Sequence, residues 1–168
     1  MFSFTASIGV IFGLIASLQD NLGFANSALG LIAGASFFAS FFGQLFLAPL
    51  ADRGKTKPLL LFSIILAALG TLWFALASSV WELTTARALT GLGFGAFAPA
   101  ARAIVSNIDA SRAGERLGRL AAIETSGFVT GPVIGAALNE IWGIDAPFIF
   151  LSVFLVCMLP GLIRINIA

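Results

Sequence analysis

An arginine inside an apolar run needs an account before anything else in this chain. Arg87 lies in residues 83–105, a stretch whose charges are Arg87 and Arg102 alone. In hydrocarbon such a charge costs up to about 2.5–3.5 kcal/mol at a helix centre, and less nearer an interface. Two acids have comparable settings. Asp20 follows the apolar residues 4–18, and Glu124 sits about a turn into the apolar residues 120–138. A carboxylate opposite a buried arginine stays ionised until the pair separates and then binds a proton, as a proton carrier must. Depth makes Asp20 the first candidate partner of Arg87 and Glu124 the second. Asp20 also has an ordinary reading, as an acid in an exposed turn. Glu124 lies three residues before Gly127, on the face of a glycine stripe, where an acid needs water, an arginine or a partner helix.

The inventory excludes most other chemistry. The 168 residues contain no histidine and one cysteine, Cys157. General acid–base catalysis, a metal centre and an internal disulfide therefore have nothing to work with, and no cofactor is implied. Cys157 lies in an apolar run and is expected as a packed core thiol. The run Gly91-Leu92-Gly93-Phe94-Gly95 has the wrong spacing for a dinucleotide loop and follows no strand. No phosphate-binding loop forms at residues 53–57, which speaks against ATP-driven pumping. No interleaving of basic and aromatic residues suggests nucleic acid. The chain is expected not to be an enzyme.

The elements that hold these residues are membrane spans. The chain is 59% hydrophobic and 10% charged, with a mean hydropathy of +1.03, far from a soluble domain. Six apolar runs are expected as spanning helices: residues 4–18, 28–50, 58–78, 83–105, 120–138 and 146–163. The start is expected to be the first of these spans and not a secretory signal, since it lacks a basic leader. The second and third flank a short charged loop, Leu50-Ala51-Asp52-Arg53-Gly54-Lys55-Thr56-Lys57-Pro58, which makes them antiparallel neighbours. Arg53, Lys55, Lys57, Arg112, Arg116, Arg119 and Arg164 all fall on one side of the six spans. Asp20, Glu82, Glu140 and Asp145 fall on the other, with no cation. Short loops rich in Lys and Arg stay cytoplasmic, so both termini are expected there. Trp81, Trp142 and Trp73 stand where interfacial anchors belong.

Eighteen glycines run through the spans, and small residues let helix backbones approach closely in lipid. Gly127, Gly131 and Gly135 recur every four residues in the fifth span, with Pro132 beside the middle one. A bend is expected there. In the fourth, Gly91 and Gly95 share a face with Arg87.

These motifs together resemble the major facilitator superfamily, and within it the proton-coupled multidrug efflux branch. The loop Leu50-Ala51-Asp52-Arg53…Lys57-Pro58 is similar to that family's signature between helices two and three, Gly-x-Leu-Ala-Asp-Arg-x-Gly-Arg-Lys. Ala48 replaces its first glycine, and the second is displaced to Gly54, with Lys55 in its usual slot. Arg87-Ala88-Leu89-Thr90-Gly91 resembles the Arg-x-x-x-Gly pattern of helix four. Gly127-Phe-Val-Thr-Gly131-Pro132-Val-Ile-Gly135-Ala136 resembles the antiporter signature of helix five.

The resemblance implies an all-α membrane protein of six transmembrane helices, a 3+3 repeat forming one half of a twelve-helix transporter. It implies a cytoplasmic latch of Asp52, Arg53 and Lys57. Arg102, at similar depth, either pairs with Asp52 or reaches to the lipid headgroups. The implied partners are the bilayer, a small-molecule substrate, protons and a second six-helix half. That half lies in the same chain if this is a fragment, or else in a homodimer or a separate chain. The function expected is proton-coupled efflux of amphipathic or lipophilic compounds by alternating access from a cell membrane. The alternatives are a nutrient or metabolite transporter and a truncated half that does not transport.

Overall fold

A computed structural model describes residues 1–164, with side chains throughout except at positions 15, 16, 52 and 110. The described residues form helices and turns without strands. The helices are α1 (Phe2–Leu22), α2 (Asn26–Leu47), α3 (Thr56–Leu76), α4 (Val80–Ile108), α5 (Ala113–Trp142), α6 (Ala146–Cys157) and α7 (Leu159–Arg164). Five segments are long and apolar enough to cross a membrane, the last being α6 and α7 taken together. In α1 the shorter stretch Phe2–Leu14 is apolar by the same measure. In lipid each span must satisfy its own backbone groups, which is why the apolar runs become helices whatever their intrinsic propensity.

Most boundaries lie within four residues of the sequence expectation, and two departures are larger. α5 begins at Ala113 and not near residue 120, so much of the polar stretch before it is helical. Its 30 residues extend about 45 Å, well beyond a ~30 Å hydrocarbon layer. The extra turns at its start are closed by an ion pair four residues apart, Arg119 Nη2 to Glu115 Oε1 at 2.6 Å. The sixth span is broken at Met158, which divides α6 from α7. Pro160 lacks an N–H and crowds the preceding turn, so the helix cannot pass through unbroken.

The charged loop between α2 and α3 is a wound segment, Ala51–Lys55, that loses helical dihedrals at Arg53 and turns left-handed at Gly54, φ +74°. The displaced glycine of the loop signature therefore stands where a side chain would be strained. The Thr56 hydroxyl donates to the Ala51 carbonyl at 3.2 Å and closes the turn.

Packing follows a cross-over. α1 lies along α5, and α2 lies along α4, while α3 is held between α4 and α6. Exchanging the first three spans for the last three converts the α1–α5 pair into the α4–α2 pair, so the two closest interfaces are equivalent under a 3+3 repeat. A core joins Ile11 and Leu14 of α1, Phe74 of α3, Leu83 of α4 and Phe148 of α6. In contrast, the buried residues of α5 are Gly127, Gly131 and Gly135 alone among those described. That helix is attached by one narrow stripe.

Candidate functional site

Arg87 is 2% exposed. Its Nη1 donates to the Ser7 carbonyl of α1 and its Nη2 to the Ser36 hydroxyl of α2, each at 3.2 Å. Its guanidinium carbon stands 5.9 Å from the centre of the Phe74 ring of α3. The Nε–H has no acceptor. Four helices thus meet at one cation, and the described residues give it no carboxylate. The pairing expected with Asp20 is not formed. Asp20 is exposed, about 20 Å further along α1 than Ser7 at 1.5 Å per residue. Depth in the sequence placed both near one end, but the arginine side chain meets α1 within its first two turns. The Ser7 hydroxyl shares a hydrogen bond of 3.2 Å with Thr71 of α3, so the floor beneath Arg87 is itself tied down.

Below Arg87 the small-residue stripes make the contacts that bring the helices this close. A Cβ at Gly91 would collide with the backbone of Ser36, and one at Gly95 with that of Ser40. Gly43 faces the backbone of Leu92 and Gly95 in return. At the equivalent α1–α5 interface, Gly127 lies against the backbone of Phe2 and the Thr5 hydroxyl, and Gly131 against the Ala6 carbonyl. Gly135 faces Val10. Pro132 does not interrupt α5. Having no N–H, it leaves the Phe128 carbonyl without its helical donor, and that oxygen faces Gly9, where a Cβ would stand 2.6 Å away. Gly13 receives the Pro132 backbone in the same manner.

The residues expected to form a latch are described in part. Arg53 is exposed, and the side chain of Asp52 lies outside the described residues. Lys57 Nζ donates to the Ile163 carbonyl at 2.7 Å, so this cation ties the first turn of α3 to the last turn of α7. Arg102 is paired with Glu124. Its Nη2 donates to both carboxylate oxygens of Glu124, each at 3.0 Å. The Asp52 side chain, the other partner expected for Arg102, lies outside the described residues. The pair also gives Glu124 its cation, one turn before the glycine stripe and turned toward α4.

The Arg102–Glu124 pair lines a cavity of about 320 Å³ bounded by α1, α2, α4 and α5. Phe37, Phe94 and Phe128 supply its aromatic walls, and Thr5 and Thr125 its hydroxyls. A larger cleft of about 390 Å³ opens beside Arg112, Arg116 and Arg119, at the basic end of the molecule. In the turn next to it, Asp109 accepts bonds from the Ser111 hydroxyl at 2.6 Å and the Ser111 amide at 3.1 Å. These bonds, with Arg116 nearby, hold its carboxyl below the usual range.

Comparison with known proteins places this arrangement. The family model described as Major Facilitator Superfamily matches residues 1–166. The chain belongs to the major facilitator superfamily. Similar curated proteins carry the name multidrug resistance protein MdtG. That of Citrobacter koseri is 36% identical over 132 residues, covering 77% of this chain and 32% of the relative. Those of Enterobacter lignolyticus and Proteus mirabilis are 34% and 29% identical, covering 82% and 96% of this chain and 33% and 42% of the relatives. The chain therefore spans about a third of the length of these relatives. It is a multi-pass membrane protein of a transporter family.

Several residues that build this facilitator-family half are not evident as a motif. Ser36 and Ser40 form the α2 side of the Arg87 interface, and Phe74 covers the guanidinium. The signal for the serines was available: they repeat at four residues and are small, as Gly91 and Gly95 are. The Ser152 hydroxyl, which donates to the Ala68 carbonyl at 2.9 Å and fastens α6 to α3, has no such spacing. Cys157 is exposed on α6 and is not the packed thiol expected. In a membrane protein an apolar neighbourhood marks lipid-facing positions as readily as buried ones.

Proposed function

We propose that this chain is the amino-terminal six-helix half of a transporter that exports small amphipathic or lipophilic compounds in exchange for protons. It works by alternating access against a second six-helix half. It sits in a cell membrane with its cation-bearing end and both termini in the cytoplasm. The observation that carries the reading is Arg87. A buried guanidinium with an unused N–H and no counter-charge is costly, about 1–3 kcal/mol for the unsatisfied donor alone. A resting scaffold has no need of it. A transporter that passes between two packings does, because water or a carboxylate can reach the free N–H in one of them. The interfaces beside it suit such movement, since the α2–α4 and α1–α5 contacts are backbone against glycine with little side-chain interlock. The cavity between those four helices offers three phenyl walls and few fixed polar groups, which suits cargo bound by apolar contact. The name carried by the relatives agrees with that cargo class.

The loops with Arg53, Lys55 and Lys57, and with Arg112, Arg116 and Arg119, set the orientation by the positive-inside rule. The reading is tested in everted membrane vesicles of cells making the complete transporter, with an imposed pH gradient and a lipophilic dye. Wild-type protein should accumulate the dye against its gradient and lose that ability when the pH gradient is collapsed. Accumulation that ignores the pH gradient would refute proton coupling.

A further inference from the structure

Arg102 and Glu124 are bonded in a way that invites exchange. Both carboxylate oxygens take their hydrogen bonds from one nitrogen, Nη2. A guanidinium facing a carboxylate through two nitrogens forms the stronger fork. The two side chains are also unequally placed, with Arg102 48% exposed and Glu124 19%. The arginine lies six residues before the end of α4 and can swing toward the basic end at little cost, as long cationic chains do. The carboxylate stays in the cavity with Phe37, Phe94 and Phe128.

We propose that Arg102 is a tethered stand-in for cationic cargo: it occupies Glu124 in the empty cavity and is displaced when a lipophilic cation enters. The inference rests on the export reading above and adds what the cavity selects. An arriving cation exchanges one ion pair for another at Glu124 and gains the faces of the phenyl rings, whose negative quadrupole attracts it. A lipophilic anion would have to displace the withdrawn carboxylate from the mobile arginine and would meet the same ring faces with the wrong sign. Arg102 is thus a positioning residue that sets the affinity for cations. It keeps Glu124 paired when no cargo is present, sparing the cavity an uncompensated charge.

The test uses tetraphenylphosphonium and its isosteric anion tetraphenylborate. Binding to the purified complete transporter is measured by equilibrium dialysis at pH 8.5, where protons compete little for a carboxylate. Thermal unfolding of each variant is followed in parallel. Wild type should bind the cation and not the anion. Arg102→Gln should bind the cation about 3–10-fold tighter, the order expected for removing a partly exposed ionic competitor. Arg102→Lys should stay near wild type, and Glu124→Gln should lose at least about tenfold. A merely structural Arg102 would give the opposite sign, weaker binding with lowered thermal stability, and that result overturns the proposal. So do cation binding unchanged in Arg102→Gln, binding retained in Glu124→Gln, a wild type that binds no cation, and binding of tetraphenylborate that Arg102→Gln abolishes. Failure here with gradient-driven dye transport intact would sink the stand-in alone. Loss of that transport in wild type would sink the export reading itself.

Discussion

At the scale of single residues, the behaviour of Arg87 depends on what it lacks as much as on what it touches. Two neutral acceptors hold a full positive charge, and Nε is left over. Arg87→Ala should abolish gradient-driven accumulation in everted vesicles while the protein still inserts. Arg87→Lys should restore a part, because an ammonium keeps the charge but cannot reach Ser7 and Ser36 with a planar fork. Full accumulation by Arg87→Ala would make the arginine a packing residue. Asp109 offers a pH-dependent counterpart outside the spans. Its carboxyl is depressed in the folded chain by the Ser111 bonds, so the ordering it lends the α4–α5 turn is present above the ordinary carboxylate range. It is lost as pH falls through the lowered value. Hydrogen exchange at the Ser111 amide, measured against the intrinsic rate at each pH, should therefore show protection at pH 6 that is lost in acid once the depressed carboxyl is protonated. Equal protection at pH 6 and in acid would remove Asp109 from the turn's support.

At the scale of elements, the glycines divide into those packed against a neighbouring helix and those that face nothing. Gly30 and Gly34 of α2 have open space where a Cβ would go, whereas Gly91 and Gly131 do not. Gly34→Ala should be neutral or should gain up to about 1 kcal/mol from helix propensity. Gly131→Leu should block transport while sparing insertion and expression, since it would hold α5 off the Ala6 carbonyl of α1. Dye efflux in cells carrying the complete transporter reads this out, and normal efflux by Gly131→Leu would reduce the stripe to passive packing. How much of this was legible beforehand depends on the physics of each signal. Hydropathy marks spans because lipid admits little else, and Gly127, Gly131 and Gly135 announce a contact face by their spacing alone. The extent of α5 was not legible, because its first turns leave the apolar layer and are stabilised by the Glu115–Arg119 pair, which hydropathy does not register. Nor was the Arg102–Glu124 pair. Sequence gives depth, and the rotation of α5 about its axis turns Glu124 toward α4.

For the whole molecule, charge distribution makes the clearest claim. With six spans, the cations of the α2–α3 and α4–α5 turns share one end, and Glu82 and Glu140 share the other. Single cysteines at 55 and 82 in a Cys157→Ser background should respond oppositely to an impermeant thiol reagent on intact cells. Position 82 should be labelled and position 55 protected. The background substitution matters, because Cys157 is itself exposed on the helix surface. Labelling at 55 but not at 82 would invert the molecule in the membrane. The bundle also shows how its halves are divided. A side-chain core joins α1, α3, α4 and α6, while α2 lies along α4 and α5 along α1 by stripes of small residues. Large apolar side chains such as Phe38, Phe46, Val129 and Val133 remain on the outer faces of α2 and α5, where lipid or a second half would cover them.

The Ser7 contact has a consequence for how this architecture can vary. Arg87 takes a carbonyl at position 7 but a side-chain hydroxyl at position 36. Every amino acid supplies the carbonyl, so codon 7 can drift without disturbing the arginine, subject only to its tie to Thr71. Codon 36 has no such freedom. In a collection of related genes, changes at 87 should be correlated with changes at 36 and uncorrelated with those at 7. A search for paired substitutions would then recover only one of the two helices that hold the charge.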